Sequence, residues 1–154
     1  STCKDYLLTL LGRRDHSKLE LKTKGLKKGY SSDILDYVIE SLHELNYIND
    51  TRFAEGYAHD AIFLKKWSLM RITSELQKKG VTRTIYSPIL DGYSANLWEQ
   101  QMQDLVKKNQ KKFSRVEEIK RKKKLYDFLA RKGYSPTLIW SHMNKLLLLI
   151  EETH

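Results

Sequence analysis

A four-residue pattern recurs three times in the chain, as Lys28-Gly29-Tyr30-Ser31, Lys79-Gly80-Val81-Thr82 and Lys132-Gly133-Tyr134-Ser135, with the glycines 51 and 53 residues apart. Each copy keeps an apolar residue eight positions before its glycine (Leu21, Ile72, Leu125) and another five after it (Ile34, Ile85, Leu138). The pattern describes a helix stop followed at once by a helix start. Glycine supplies the left-handed residue that ends a helix, and the lysine before it faces the negative end of the helix dipole. Ser31, Thr82 and Ser135 then cap the next helix, while Tyr30 with Leu35, Val81 with Tyr86 and Tyr134 with Ile139 have the spacing of a hydrophobic staple. Pro136 falls at the first helical position, where its missing N–H costs nothing. Recurrence of stop, staple and cap together makes this a repeat protein.

The 154 residues divide into three units, 1–48, 49–93 and 94–154, each expected to hold three helices with the stop-start turn joining the second to the third. Two prolines, seven glycines and abundant Leu, Lys and Glu favour an all-α fold. In the first unit Tyr6, Leu7, Leu10 and Leu11 form an apolar face, Ser17 caps a second helix, and Ile34, Val38, Ile39 and Leu42 mark the third. The second unit opens at Asn49 or Asp50, with Ile48 and Phe53 as another staple if Asn49 is the cap. Its second helix starts at Ser68, and Pro88 shortens or kinks its third. In the third unit Trp98, Met102, Leu105 and Phe113 trace one long helix, a second follows from about Arg115, and the last begins at Pro136. These stripes are core by the economy of repeat packing; Trp140, Met143, Leu147 and Ile150 either pack on the third unit or make an end-to-end contact.

A single cysteine, Cys3, excludes an internal disulfide framework or a multi-cysteine zinc site and fits a reducing, cytoplasmic setting. There is no signal-peptide pattern, and the longest apolar run, 146–150, is too short to span a bilayer. The chain starts without an initiator methionine, as a trimmed fragment would. His16, His43, His59, His142 and His154 show no metal-ligand spacing with one another, and no phosphate-cradling glycine loop or nucleophile elbow is present. The expectation is a protein with no catalytic residues, no cofactor and no metal.

Charge carries the functional signal. The net +9 is uneven, about +1 through residue 49, +2 for 50–93 and +6 thereafter. Lys107, Lys108, Lys111, Lys112 and Arg115, followed by the run Lys120-Arg121-Lys122-Lys123-Lys124, form a dense basic stretch, with smaller clusters at Arg13-Arg14, Lys27-Lys28, Lys65-Lys66 and Lys78-Lys79. A polyanionic partner, nucleic acid above all, is the natural inference. A membrane surface fits less well, because the basic helices have no bulky apolar face to insert. Three-helix units invite a helix-turn-helix reading with the third helix in the major groove. Against it, the first unit's third helix carries Asp33, Asp36, Glu40 and Glu44 with no Lys or Arg between Ser31 and Asn46, and the other two third helices hold only Arg83 and Lys145. Basic residues collect instead on the second helices and on the long helix before Arg115, which argues against sequence-specific base reading.

The segment Tyr47-Ile48-Asn49-Asp50-Thr51-Arg52-Phe53-Ala54-Glu55 resembles the signature of the bacterial RecX regulators, and it falls between the first and second repeats as that family places it. Tyr6-Leu7-Leu8, Arg13-Arg14-Asp15-His16-Ser17 and Glu20-Leu21 resemble the family's opening repeat. Arg71-Ile72 and Glu75-Leu76 resemble its middle one, and Lys124-Leu125-Tyr126, Phe128-Leu129 and Arg131-Lys132-Gly133 its last. The resemblance implies a curved, elongated array of three tandem helix-turn-helix-like repeats. It also implies a cytoplasmic, monomeric modulator that binds the RecA nucleoprotein filament on single-stranded DNA, with double-stranded DNA as a further partner. Such a protein restrains ATP hydrolysis, strand exchange and co-protease activity in recombination, DNA repair and the SOS response. The positions carried over from the family are Arg13, Arg14, Lys28, Lys79, Arg131 and Lys132. Arg52 lies in the signature and serves either the partner or a first-turn salt bridge, whereas Asn49 and Asp50 read as structural caps. A DNA-binding regulator acting without RecA and a protein-only adaptor remain the competing functions.

Two positions depart from the pattern. Gly25 stands where the other repeats have Leu76 and Leu129, so the first repeat's second helix is expected to lose a core side chain, with ~1 kcal/mol of glycine's helix penalty, and to be looser. The basic stretch 107–124 is denser than the repeats require and implies a stronger direct hold on DNA.

Overall fold

The computed structural model describes residues 2–93 and 95–151, and among these the chain is helical throughout, without a strand. The elements are α1 (Cys3–Arg13), α2 (Lys18–Lys28), α3 (Ser32–Glu44), α4 (Asp50–Phe63), α5 (Leu69–Lys78), α6 (Arg83–Asp91), α7 (Ala95–Lys108), α8 (Gln110–Ser114), α9 (Glu118–Arg131) and α10 (Pro136–Glu151). None is long and apolar enough to cross a membrane. His154 lies outside the described residues.

The three glycine turns have one geometry. Gly29, Gly80 and Gly133 have φ of 105°, 79° and 96°, the left-handed region where a side chain would be strained. The following residue reaches back five positions, with Tyr30 N–H donating to Gly25 O (3.1 Å), Val81 to Leu76 O (3.0 Å) and Tyr134 to Leu129 O (3.2 Å). The glycine N–H donates three positions back, to Leu26, Gln77 and Ala130. This is the Schellman arrangement, which satisfies carbonyls at the end of the helix. Ser31 and Ser135 then accept from the backbone N–H of Ile34 (3.3 Å) and Leu138 (3.2 Å). Tyr30 is half-buried and its staple partner Leu35 fully buried; Val81, Tyr86, Tyr134 and Ile139 are all buried. A fourth turn of the same kind ends α3, with Asn46 left-handed (φ 63°) and Tyr47 N–H on Leu42 O.

The expected long helix through Trp98, Met102, Leu105 and Phe113 is two helices. Asn109 (φ −111°, ψ 19°) leaves helical geometry, and its Nδ2 donates to Leu105 O at 2.7 Å, engaging a carbonyl near the end of α7. Asparagine's competition with the backbone breaks the run. The second helix of that unit starts at Glu118, later than Arg115, which ends α8. At Gly25 α2 continues unbroken, and the space of the missing side chain is filled. A Cβ at Gly25 would collide with the Leu35 side chain, so the missing side chain lets α3 lie close against α2, with Leu35 fully buried.

Packing groups the chain into two compact units. One runs to Leu64 and takes in Thr73–Leu90; the other comprises Lys65–Ile72 and the residues from Asp91 onward. Leu7, Leu21, Leu35, Leu42 and Ile48 are completely buried in a core of the first unit. In the second, Met102, Phe113, Leu125, Leu129, Ile139 and Leu146 form the centre. Met143 and Ile150 of α10 join that core, whereas Trp140 is half exposed and stacks on Tyr126, with centroids 5.1 Å apart.

Candidate nucleic-acid interface

In the first unit the basic residues expected to meet a partner are partly engaged within the chain. Ser17 caps α2 by accepting from Glu20 N–H (3.1 Å), and the Glu20 carboxylate accepts from Ser17 N–H (3.0 Å), a closed capping box. The same carboxylate takes a two-pronged contact from Arg14, Nη1 to Oε1 at 3.1 Å and Nη2 to Oε2 at 3.0 Å, and a third cation, Lys79 Nζ, at 3.2 Å from Oε2. Burial alone would raise the Glu20 pKa, but the hydrogen bonds from Arg14, Ser17 and Lys79 outweigh it and bring the pKa down to about 2. The structure thus brings Arg14 and Lys79 together, on an acid of this chain. Arg13 ends α1 exposed, with no ion pair among the described residues, and Lys28 lies 5.5 Å from the Tyr6 ring centroid.

The signature segment is a structural latch. Asn49 caps α4, accepting from Arg52 N–H at 2.9 Å, with Ile48 and Phe53 buried as its staple. Asp50 caps another helix: its Oδ1 accepts from Lys18 N–H, the first residue of α2, at 2.9 Å. Arg52 reaches Asp15 at 3.3 Å and the carbonyls of Asn46 (3.4 Å) and Tyr47 (3.2 Å). It therefore holds the end of α3 and the α1–α2 connection to the start of α4. Buried His16, next to this latch, places Nδ1 3.0 Å from Arg14 O and Nε2 3.3 Å from Lys24 Nζ. Since an ammonium only donates, Nε2 accepts and Nδ1 carries the proton; burial lowers its pKa. The acidic α3 is tied to α2 through Asp36 with Lys22 (2.8 Å) and Glu40 with Lys18 (3.6 Å).

The third repeat's basic stretch separates into different roles. Arg121 is half-buried and donates to the carbonyls of Phe113 (3.2 Å), Val116 (3.1 Å) and Ser114 (3.1 Å), closing the end of α8. Lys120 faces Glu117 at 3.8 Å, and Lys123 faces Asp127 at 3.3 Å. Lys112 lies over Phe128 at 4.8 Å. Lys107, Lys108, Lys111, Arg115, Lys122, Lys124 and Arg131 are exposed and make no ion pair among the described residues. On α10, Lys145 pairs with Glu99 at 2.8 Å.

A concentration of positive charge around a concavity lies in the second unit, a cleft of about 620 Å³ between the start of α5 and the α9–α10 turn. Lys65, Lys66, Arg71, Lys108, Arg131 and Lys132 line it, and none of the described lining residues is acidic. Trp67 stands in its wall with Arg71 at 4.2 Å and Lys65 at 4.6 Å from the ring, an arrangement that holds both cations in place. The wall is fixed in turn by the repeat motif. Burial raises the Tyr134 pKa, keeping its hydroxyl protonated, and that hydroxyl donates to Gln101 (3.1 Å), whose amide donates to Trp67 O (3.2 Å). Lys108, Arg131 and Lys132 were expected from sequence as site residues, Lys65-Lys66 stood out there only as a smaller basic cluster, and Arg71 joins them through the fold. No cluster of His, Cys, Asp and Glu suited to a metal occurs among the described residues.

Tandem three-helix units with capped glycine turns and a basic cleft define a class of helical-repeat protein. Residues 3–42, 49–86 and 99–143 match, respectively, the first, second and third three-helix domains of RecX. The chain is 36% identical over 144 residues to the regulatory protein RecX of Pelodictyon phaeoclathratiforme, covering 93% of this chain and 88% of that one. It is 32% identical over 132 residues to RecX of Chlorobium phaeobacteroides, covering 84% and 83%. The crystal structure of RecX from Lactobacillus salivarius shares the fold, with a TM-score of 0.85 at 23% identity over 95% of both chains. The chain belongs to the RecX family, and as a member it is a non-catalytic regulatory protein.

Proposed function

We propose that this protein modulates the RecA recombinase by binding its filament on single-stranded DNA and restraining ATP hydrolysis, strand exchange and co-protease activity. Family membership supplies the partner. The observation that carries the nucleic-acid part is the set of exposed cations on the second unit, Lys107, Lys108, Lys111, Arg115, Lys122, Lys124 and Arg131, that no acid among the described residues neutralises. Electrostatic attraction of this kind draws a protein to a polyanion without reading sequence. The acidic α3, with Asp33, Asp36, Glu40 and Glu44, is unsuited to a major groove and favours shape and charge recognition over base reading. A chain of three repeats acting as a monomer and touching several RecA protomers converts weak contacts into avidity and opposes the filament's conformational cycle.

The test is DNA-dependent ATP hydrolysis by RecA preassembled on single-stranded DNA, titrated with this protein at two salt concentrations beside a DNA-only binding control. Inhibition below the amount that coats bare DNA is the expected outcome. Undiminished hydrolysis alongside tight binding to bare DNA would instead identify a DNA-binding regulator acting without RecA.

A further inference from the structure

Two junctions of the chain are built from the same repeat positions. In each, the glycine turn of one repeat lies against the start of the preceding repeat's second helix. A Cβ at Gly80 would meet Leu19 Cβ at 2.7 Å, and one at Gly133 would meet Met70 Cβ at 3.2 Å as well as Ser68. The 51-residue period that carries Gly29 onto Gly80 also carries Arg14 onto Lys65, Ser17 onto Ser68 and Leu19 onto Met70; the 53-residue period carries Lys79 onto Lys132. Both helices are capped alike, Ser17 accepting from the N–H of Glu20 and Ser68 from that of Arg71. One position inverts its charge. Glu20, which gathers Arg14 and Lys79 in the first junction, is replaced by Arg71 in the second.

We infer that the second junction takes from outside the negative charge that Glu20 supplies to the first, and that its occupant is the phosphodiester backbone of a single nucleic-acid strand. In the first junction a carboxylate oxygen sits between Arg14 and Lys79; the oxygens of a phosphodiester are acceptors of the same kind for Arg71 and Lys132, which both line the cleft of the second. The cations continue past that place to Lys66, Lys108 and Arg131 along an open cleft, more charge than one small anion needs, and suited to successive phosphates. A carboxylate, Asp104, lies in a smaller adjoining recess with Lys66 and Lys108, where it accepts from Gln100 at 2.9 Å. This inference rests on the strand binding proposed above and names the residues that make it.

The experiment measures fluorescence anisotropy of a labelled oligothymidylate with the full chain across a salt series, for the wild type, Arg71→Glu and the double variant Lys108→Glu/Arg131→Glu. Arg71→Glu restores the carboxylate of the first junction, so its melting temperature holds while oligonucleotide affinity falls by about tenfold or more and the salt slope flattens by ~0.7 for each phosphate no longer neutralised. The double variant changes only exposed side chains and weakens binding in the same direction, which decides the matter if Arg71→Glu fails to fold. Unchanged affinity and slope in both folded variants would overturn the inference. So would inorganic phosphate that raises the wild-type melting temperature while oligothymidylate does not bind, marking a small-anion site. RecA hydrolysis separates the two levels. If the wild type inhibits RecA but both folded variants bind DNA normally, the cleft assignment fails alone; if the variants no longer bind DNA but the wild type leaves RecA untouched, the RecA reading fails alone.

Discussion

Replacing Glu20 by Gln tests whether the first junction is held by an internal ion cluster. Glu20 is nearly buried, with 9% of its side chain exposed, and accepts from Arg14, Lys79 and Ser17. Its fall from an ordinary 4.5 to about 2 corresponds to ~3 kcal/mol of preference for the charged form in the folded state. Because the folded-state value lies below the unfolded one, the contribution is complete above the unfolded pKa of ~4.3 and disappears as pH falls through about 2, with about half gone by pH 3. Urea denaturation of wild type and Glu20→Gln, followed by far-UV circular dichroism, should show a destabilisation of ~3 kcal/mol at pH 7 that shrinks to roughly half at pH 3. A difference that is the same at both pH values would refute the ion-cluster account, since a purely steric or capping loss does not titrate. So would a loss below ~1 kcal/mol at pH 7, the range of an exposed surface pair.

Further perturbations separate packing, capping and charge. Gly25→Ala would add helix propensity on an isolated helix, yet here it should cost ~1–3 kcal/mol in urea denaturation because Leu35 fills the space. Asp50→Ala removes the acceptor of Lys18 N–H and should destabilise the first unit by ~1 kcal/mol, measured the same way. Arg121→Ala should lower stability by ~1–3 kcal/mol by stripping three carbonyls of their charged donor. Lys122→Ala and Lys124→Ala, from the same basic run, should leave stability within ~0.5 kcal/mol and act only on polyanion binding.

What the sequence shows of this fold is what local chemistry decides. The glycine turns, the Ser17, Ser31, Ser68 and Asn49 caps and the Ile48–Phe53 staple depend on residues within a few positions of one another, and the structure has them where spacing places them. What spacing did not show depended on what lies opposite. Gly25 looked like a missing core residue because no local rule reports Leu35 on the next helix. Asn109 sat inside a plausible apolar stripe, and only its bond to Leu105 O shows the stripe to be broken. Asp50 could be read as a cap, but not as the cap of a helix 32 residues away.

The same distinction governs the basic residues. A run of charge in the sequence draws the eye to 120–124, where Arg121 is a structural donor and Lys120 and Lys123 face acids. Arg71 lies in no run at all. It matters because a tandem repeat supplies an internal control: the first junction shows what its position does when the residue is acidic, and the second keeps the serine cap, the glycine approach and the flanking cations while reversing that one charge. A reversal that served packing alone would leave Arg71, Arg131 and Lys132 gathered with no acid among the described lining residues, an arrangement that opposes folding. An external polyanion removes that repulsion, so the cleft should be most stable when occupied, and binding at this junction should raise the melting temperature of the wild type and not that of Arg71→Glu.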